Sequence, residues 1–300
     1  AIFLAYRLRP VYARLSSQLD RYQEVVEPLR RLAMWGIPVF FGFFAGFASS
    51  AQWETTWLWL NGGATGQTDP EFGLDTGFYM FAMPFYQSVA GFASAVILIS
   101  LLVTAAVSYL YGSVRIGQGE MRISKAARIQ LAVLAGIYLL VQAGSLWLDR
   151  YANLVAAGDR ITGPAYTEAN AVIPGQTILA VVAALVAILF FVTAVIGRWR
   201  YPLIATALLI VTSLVVSLGY PWAVETFQVR PHQRDYEMDY YQRNVDGTRA
   251  AYGLDRTEKT EFNAEPEAEE GQPRTDSDTT APLRLIDPAT PTPTVRQLPH

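Results

Sequence analysis

The sequence predicts an all-α polytopic membrane protein, in which a transmembrane helix bundle is followed by the start of an extracytoplasmic domain. Only 16% of the 300 residues are charged and 52% are hydrophobic, whereas about a quarter of the residues in an average soluble domain are charged. The hydrophobic residues also lie in long uninterrupted blocks. A block of about 20 apolar residues is long enough to cross the hydrocarbon layer of a membrane as a helix.

Five blocks qualify as spans, and none of them contains Asp, Glu, Lys, Arg or His. The predicted spans are residues 32–50, 86–111, 131–148, 177–197 and 203–222. Residues 1–6 are apolar but too short to cross, so we expect them to be the end of a truncated transmembrane helix and the chain to be a fragment. The alternative interpretation is the buried core of a large soluble helical protein.

The distribution of Lys and Arg between the loops predicts the orientation. Loop 7–31 has six of these residues, loop 51–85 has none and loop 112–130 has four. Loop 149–176 has two that are offset by three acids, and the turn 198–202 has two. Loops rich in Lys and Arg face the cytoplasm. The pattern therefore predicts a multi-pass plasma-membrane protein whose residues after Trp222 are extracytoplasmic.

The segments outside the spans have distinct compositions. Residues 7–31 place apolar side chains on one helical face, which predicts a cytoplasmic amphipathic loop that lies on the inner leaflet or packs on other loops. Residues 223–254 are predicted to be an extracytoplasmic helical segment that stops at Gly253. Residues 255–300 are acidic and rich in proline, with 7 of the 17 prolines and 10 acids against 5 bases.

Two stretches carry a resemblance to a known family. The first is Asp69 to Phe85, Asp-Pro-Glu-Phe-Gly-Leu-Asp-Thr-Gly-Phe-Tyr-Met-Phe-Ala-Met-Pro-Phe, and the second is Arg243 to Leu254, Arg-Asn-Val-Asp-Gly-Thr-Arg-Ala-Ala-Tyr-Gly-Leu. They resemble uncharacterised protein family 0182, which comprises bacterial multi-pass membrane proteins with a large extracytoplasmic domain. Residues 163–170 look like a degraded third motif. The resemblance implies that residues 255–300 are the truncated start of the outer domain, and it implies no established activity.

The residues that match the family motifs are interpreted as structural. They are Asp69, Pro70, Phe72, Gly73, Asp75, Phe78, Tyr79, Phe81, Pro84, Asn244, Thr248, Arg249, Tyr252 and Gly253. The chain departs from the family pattern at residues 229–233, where the family usually has Pro-Asn-Glu.

Weak candidates for metal ligands are Asp69, Glu71 and Asp75, because hard cations favour several oxygen ligands from one loop. Their spacing does not match a twelve-residue calcium loop, and Asp-Pro turns and helix caps explain the same residues. The acids around His232 are interpreted as solvated or capping groups. We therefore predict neither a metal site nor a cofactor.

The sequence contains none of the motifs of nucleotide, zinc-protease or serine-hydrolase sites, and it has no Cys and only two His. No catalytic residue is predicted. No basic patch with interleaved aromatic residues suggests nucleic acid as a partner. The predicted partner is the lipid bilayer, with other envelope proteins or further copies of the chain as additional candidates.

The function that these observations favour is an anchor or scaffold for an extracytoplasmic domain acting at the cell envelope. Proton and ion pathways usually place ionisable residues inside spans, and the predicted spans have none. The alternative is a transporter, or a transporter subunit, for an uncharged or lipid-like substrate. Small residues at Gly42 and Gly46, and at Ala132 and Gly136, predict close approaches between helices.

Overall fold

The computed structural model describes residues 2–7, 17–117, 120–158 and 161–261. The α-helices are α1 (Ile2–Arg7), α2 (Ser17–Ser50), α3 (Trp53–Asn61), α4 (Met83–Leu110), α5 (Lys125–Ala152), α6 (Ile173–Ile196), α7 (Arg200–Leu214), α8 (Tyr220–Ala223) and α9 (Gln233–Ala251). π-Helical turns occupy Phe78–Ala82, Glu168–Val172, Val215–Gly219 and Val224–Val229. Short 3₁₀ turns occupy Arg230–His232 and Leu254–Arg256.

Four continuous helical runs are long and apolar enough to cross a membrane, namely Phe78–Leu110, Lys125–Ala152, Glu168–Ile196 and Arg200–Ala251. A fifth span is present if Met34–Ser50 and Trp53–Asn61, which meet at 53°, are taken together. These helices cover the blocks predicted as spans to within two residues at their ends. The predicted fold class, an all-α membrane protein, is confirmed.

The central helix of the bundle is α6. Leu179, Ala183 and Ala187 on this helix are buried, and α6 packs against α5 and α7, while α5 also packs against α4. In contrast, large apolar side chains on the outer faces are exposed, such as Trp35 at 76% and Val195 at 82%. Apolar exposure over such an area marks a membrane-facing surface rather than a wet one.

Helices α5 and α6 approach closely because small residues line their contact. Ala132 is completely buried. A Cβ atom at Gly136 would lie 2.8 Å from Cε1 of Phe191 and 3.2 Å from the carbonyl oxygen of Ala187. At Gly42 and Gly46 an added Cβ meets no described atom within 4 Å. Of the two predicted pairs of small residues, only Ala132 and Gly136 face a neighbouring helix in the described part of the chain.

Every π-helical turn described above ends two residues before a proline. The N–H groups of Met83, Ile173, Tyr220 and Arg230 each donate to the carbonyl group five residues earlier. Prolines follow directly at positions 84, 174, 221 and 231. A proline ring collides with the carbonyl group four residues back in a regular helix. The extra residue in the π-turn relieves that collision, so the helix continues through the proline.

The end of the bundle opposite to loop 62–77 carries a feature that the sequence analysis did not predict. Residues Val114–Gly117 and Glu120–Ile123 form an antiparallel pair of strands, with Val114 opposite Ile123. The alternation of Val, Ile and Met with polar residues was the available signal. The predicted amphipathic loop 7–31 falls partly on residues 8–16, which lie outside the described residues, and α2 begins at Ser17.

Residues 250–300 form a separate compact unit, of which residues 250–261 are described. Gly253 has a φ of 67°, and its N–H donates to the carbonyl oxygen of Ala250 at 3.0 Å. Gly253 lies two residues after Ala251, the last residue of α9, and the sequence analysis predicted that the helix stops at this glycine. The predicted segment beyond Glu261 lies outside the described residues.

Replacing Gly136 with Ala should destabilise the bundle, because the new methyl group overlaps Phe191 and the backbone of α6. The expected loss is about 1–3 kcal/mol, as for other overpacked cores. Thermal unfolding in detergent measures it. Gly42→Ala is the matched control and should be neutral or slightly stabilising, because its site is open and Ala favours a helix more than Gly. Equal effects at the two positions would contradict the packing.

Candidate functional site: an interlocked cap

Three segments that are far apart in the sequence meet at one end of the bundle. They are loop 62–77, which precedes α4, the described residues 153–158 and 161–167 of loop 153–167, which precede α6, and the helical run 223–249. We call this assembly the cap. It contains residues 69–77, 163–167 and 243–249 of the three stretches that resemble family motifs, and residues 250–254 belong to the other unit. The candidate site is therefore built mainly from the motifs.

The carboxylate of Asp69 organises the first motif. It accepts hydrogen bonds from the N–H groups of Glu71, Phe72 and Leu74 at 2.8, 2.6 and 2.8 Å and from the hydroxyl of Tyr79 at 2.8 Å. Gly73 takes a positive φ of 67° within this turn. Partial burial raises the pKa of Asp69, but these hydrogen bonds outweigh it, so that the pKa is lower than usual.

Asp75 fastens the other side of the same loop. Its carboxylate accepts from the N–H groups of Thr65, Gly66 and Gly77 at 2.9, 2.9 and 2.7 Å. The backbone hydrogen bonds from Thr65 and Gly77 lower the pKa of Asp75 most, against a smaller opposing effect of burial. Side chains at Gly77 would collide with the carbonyl oxygen of Gly63, which explains the glycine.

These contacts leave little for a cation to bind. The oxygens of Asp69 and Asp75 accept hydrogen bonds from their own loop and Tyr79, and the carboxylate of Glu71 instead lies 3.4 Å from Arg243. Glu225, one of the acids near His232, accepts a hydrogen bond from Thr167 at 2.8 Å. Within the described ranges, no three His, Asp or Glu side chains form a group that could hold a metal ion.

A buried arginine attaches the first motif to the end of α5. The guanidinium of Arg150 lies 3.6 Å from the ring centroid of Trp147 and 5.6 Å from that of Phe72. It donates to the carbonyl oxygen of Trp147 at 3.1 Å and to the hydroxyl of Tyr151 at 2.8 Å. The Phe72 and Tyr151 rings meet edge to face at 4.8 Å.

Sequence reasoning assigned Arg150 to a loop and gave it no role. The structure places it in the last turn of α5, with only 9% of its surface exposed. A buried cation is stabilised when aromatic faces and acceptors replace its water. The signal that could have found it is the Trp147-x-x-Arg150-Tyr151 spacing, which brings aromatic and basic groups onto adjacent turns.

Helix α9 is attached to both loops. Arg243 forms the ion pair with Glu71, and the Nδ2 of Asn244 donates to the carbonyl oxygen of Thr162 at 3.0 Å. The hydroxyl of Tyr240 accepts from Asn170 at 3.2 Å. The ion pair connects the second motif to the first, and the other two contacts connect α9 to Thr162, just before the degraded third motif, and to Asn170 at its end.

Tyr166 adds an aromatic contact between loop 153–167 and the helical run. Its ring lies 4.7 Å from that of Tyr236, and its hydroxyl accepts from Gln228 at 3.0 Å. Gln228 directly precedes the positions where the chain departs from the family pattern. The cap is therefore held together there by groups other than the Asn-Glu pair that the family usually has.

The remaining motif residues have local roles. Phe78 packs edge to face on Tyr151 at 5.4 Å, and Phe81 packs on the backbone of Gly62. Thr248 donates to the carbonyl oxygen of Asn244 at 2.8 Å. Pro84 follows the first π-turn, whereas Pro70, Arg249 and Tyr252 are exposed. This arrangement is a folded junction, in which the polar groups that contact one another join segments of the chain.

Acid should loosen the first motif. A carboxylate with a lowered pKa stabilises the folded loop above its unfolded pKa of about 4, and this stabilisation is lost as the pH falls through the lowered value. Hydrogen exchange at the amides of Phe72 and Leu74, corrected for intrinsic rates, should accelerate below about pH 4. Asp69→Asn should accelerate it roughly tenfold or more at neutral pH. Protection unchanged by acid and by the variant would contradict the role of Asp69.

Comparison with known proteins places the chain in a family. The family model described as "Uncharacterised protein family (UPF0182)" matches residues 1–300. The chain is 56% identical over 299 residues to UPF0182 protein Lxx09300 of Leifsonia xyli subsp. xyli, covering 99% of the chain and 30% of that relative. It is 54% identical over 291 residues to UPF0182 protein CMS1887 of Clavibacter sepedonicus, covering 96% of the chain and 30% of the relative.

A UPF0182 protein of Arthrobacter sp. (strain FB24) is 46% identical over 291 residues, which cover 96% of the chain and 29% of the relative. The chain thus spans about 30% of the length of these relatives. No solved structure matches it. With the family match over its whole length, the resemblance seen in the motifs is confirmed, and the chain belongs to uncharacterised protein family UPF0182.

Proposed function

We propose that this chain is a membrane anchor and scaffold, which fixes the polypeptide that follows it at the surface of the bilayer. The observation that carries the proposal is the cap. The helical run Arg200–Ala251 is continuous. Thr167 and the carbonyl oxygen of Thr162 from one loop, and Glu71 from the other, contact Glu225, Asn244 and Arg243 of this run. A scaffold of this kind keeps the polypeptide that follows it in a fixed position at the membrane.

The composition of the spans supports the same function. The five predicted spans contain no Asp, Glu, Lys, Arg or His. An ionisable side chain at mid-span costs at least about 2.5 kcal/mol on insertion scales, so such residues are retained mainly where ions or protons move. In α4, α5, α6 and α7 the charged residues all lie in the first or last turn of a helix, namely Lys125, Arg128, Asp149, Arg150 and Arg200. This distribution favours a holding function over ion transport.

We further propose that the membrane is the plasma membrane and that the cap is extracytoplasmic. The support is the distribution of Lys and Arg, which are abundant next to the end opposite the cap and absent from residues 51–85. On this proposal the bilayer is the first partner. Other envelope proteins or further copies of the chain would meet the cap or the polypeptide that follows it.

Labelling of single cysteines in whole cells tests the orientation, because the chain has no cysteine of its own. Ala64→Cys and Ala156→Cys place exposed thiols in the two cap loops, and Lys125→Cys places one at the opposite end. A membrane-impermeant maleimide should label the first two in intact cells and the third only after lysis. Labelling of Lys125→Cys in intact cells would overturn the orientation.

A transporter for an uncharged or lipid-like substrate is the second candidate, and one contact favours it. The hydroxyl of Ser94 donates to Oε1 of Gln142 at 3.0 Å between α4 and α5, and on α4 the buried hydroxyl of Thr104 has no described partner. Polar side chains of this kind on two neighbouring spans can contact the polar part of such a substrate. The anchor proposal instead interprets these groups as helix–helix contacts, which contribute modestly in membranes.

A flux measurement separates the two functions. The purified chain in liposomes should leave the movement of a fluorescent phospholipid between leaflets at the rate of protein-free liposomes. Transport would instead raise that rate, and replacing Gln142 with Leu and Ser94 with Ala would abolish the increase. A matched Thr206→Ala variant, which removes a hydroxyl bonded only within its own helix at 2.7 Å, should retain it. Any such protein-dependent, Gln142-dependent flux would overturn the anchor function.

A further inference from the structure

The turn between α6 and α7, at the end opposite the cap, holds polar donors that lack acceptors. Nε of Arg128 and Nε1 of Trp199 are buried without a hydrogen-bond partner in the described structure. A buried donor without an acceptor is costly, and such groups are rare in native proteins. Arg128 contacts Gly197, and Trp199, two residues further along the turn, packs edge to face on Phe190 with ring centroids 6.2 Å apart.

Arg128 reaches this turn because Gly197 leaves room for it. An added Cβ at Gly197 would overlap Nη1 of Arg128 and lie 2.8 Å from its Cζ. Gly197 also has a φ of 89° and ends α6 in the left-handed conformation. The guanidinium is thus held against the end of a membrane-spanning helix, and among the described side chains no carboxylate pairs with it.

The surroundings are basic. Arg198 and Arg200 on either side of Trp199 are exposed, and neither α5 nor α7 has an acid in its first turn. Guanidinium and indole groups only donate, so a ligand here has to supply acceptor oxygens, and the basic surroundings favour an anionic one. A phosphate group meets both conditions, and Arg is well suited to it.

We propose that the side chains of Arg128, Trp199, Arg198 and Arg200 form a binding site for the phosphate of an anionic phospholipid in the leaflet on that side of the membrane. The location of the turn selects the lipid over a soluble phosphate. It lies where the apolar helices α5, α6 and α7 end, which is the level of the headgroups. The inference rests on the membrane-spanning helices and is independent of the anchor function.

Native mass spectrometry of the full chain in detergent tests the site with phosphatidylglycerol and phosphatidylcholine of equal acyl length. Phosphatidylglycerol should bind at least about fivefold more tightly, the amount expected from one basic residue at a membrane surface. Arg128→Gln should remove this preference. Trp199→Phe keeps the ring, loses the Nε1 donor and should weaken phosphatidylglycerol binding roughly tenfold. Circular dichroism verifies that each variant retains its helix content.

Lys125→Gln is the matched control. It removes one positive charge from the same end of α5, at an exposed position on a face that does not contact Gly197. It should leave the preference for phosphatidylglycerol unchanged. Equal binding of the two lipids, a preference that survives in folded Arg128→Gln, or an equal loss in Lys125→Gln would overturn the site. Displacement of the lipid by an equal concentration of inorganic phosphate would overturn the choice of a lipid.

Discussion

Within a bilayer each backbone N–H and C=O group has to be paired inside its own helix, because lipid offers no alternative partner. Proline threatens this pairing, and at four prolines the chain meets the difficulty in the same way, whereas Pro28 and Pro38 lie inside α2 without a π-helical turn. A π-helical turn ends two residues before Pro84, Pro174, Pro221 and Pro231, and its five-residue hydrogen bond preserves the path of the helix. The continuity of the run from Arg200 to Ala251 depends on two of these turns.

At the cap the main contacts are made by side chains, whereas the spanning helices depend on backbone hydrogen bonds within each helix. Polar side chains there accept from or donate to backbone groups, either of another segment, as Asn244 does to Thr162, or of their own loop, as Asp75 does from Thr65. Each such bond contributes about 1 kcal/mol, and exposed ion pairs such as Glu71–Arg243 contribute less than that. The aromatic contacts around Arg150 add apolar area to the polar bonds. The cap is consequently a composite of many modest contacts.

The sequence motifs identified many of the residues of the cap, but they did not predict which of these residues contact one another. Asp69 and Asp75 were predicted to make turns or caps, and their hydrogen bonds are local, within about ten residues. The ion pair between Glu71 and Arg243 joins residues 172 positions apart. A contact between residues so far apart in the sequence cannot be predicted from the hydrophobic periodicity of either segment. The same holds for Arg150, whose burial depends on a loop that packs over it from another part of the chain.

The sequence by itself determined the fold class, the approximate spans and the helix stop at Gly253, because hydrophobic block length and left-handed glycine are local properties. The tertiary structure alone decided which small residues contact a neighbouring helix. Gly136 makes such a contact and Gly42 makes none among the described residues. It also decided that the motifs assemble at one end of the bundle and that Arg128 contacts Gly197. The physical reason is that such contacts depend on the relative placement of several helices, which a single segment does not encode.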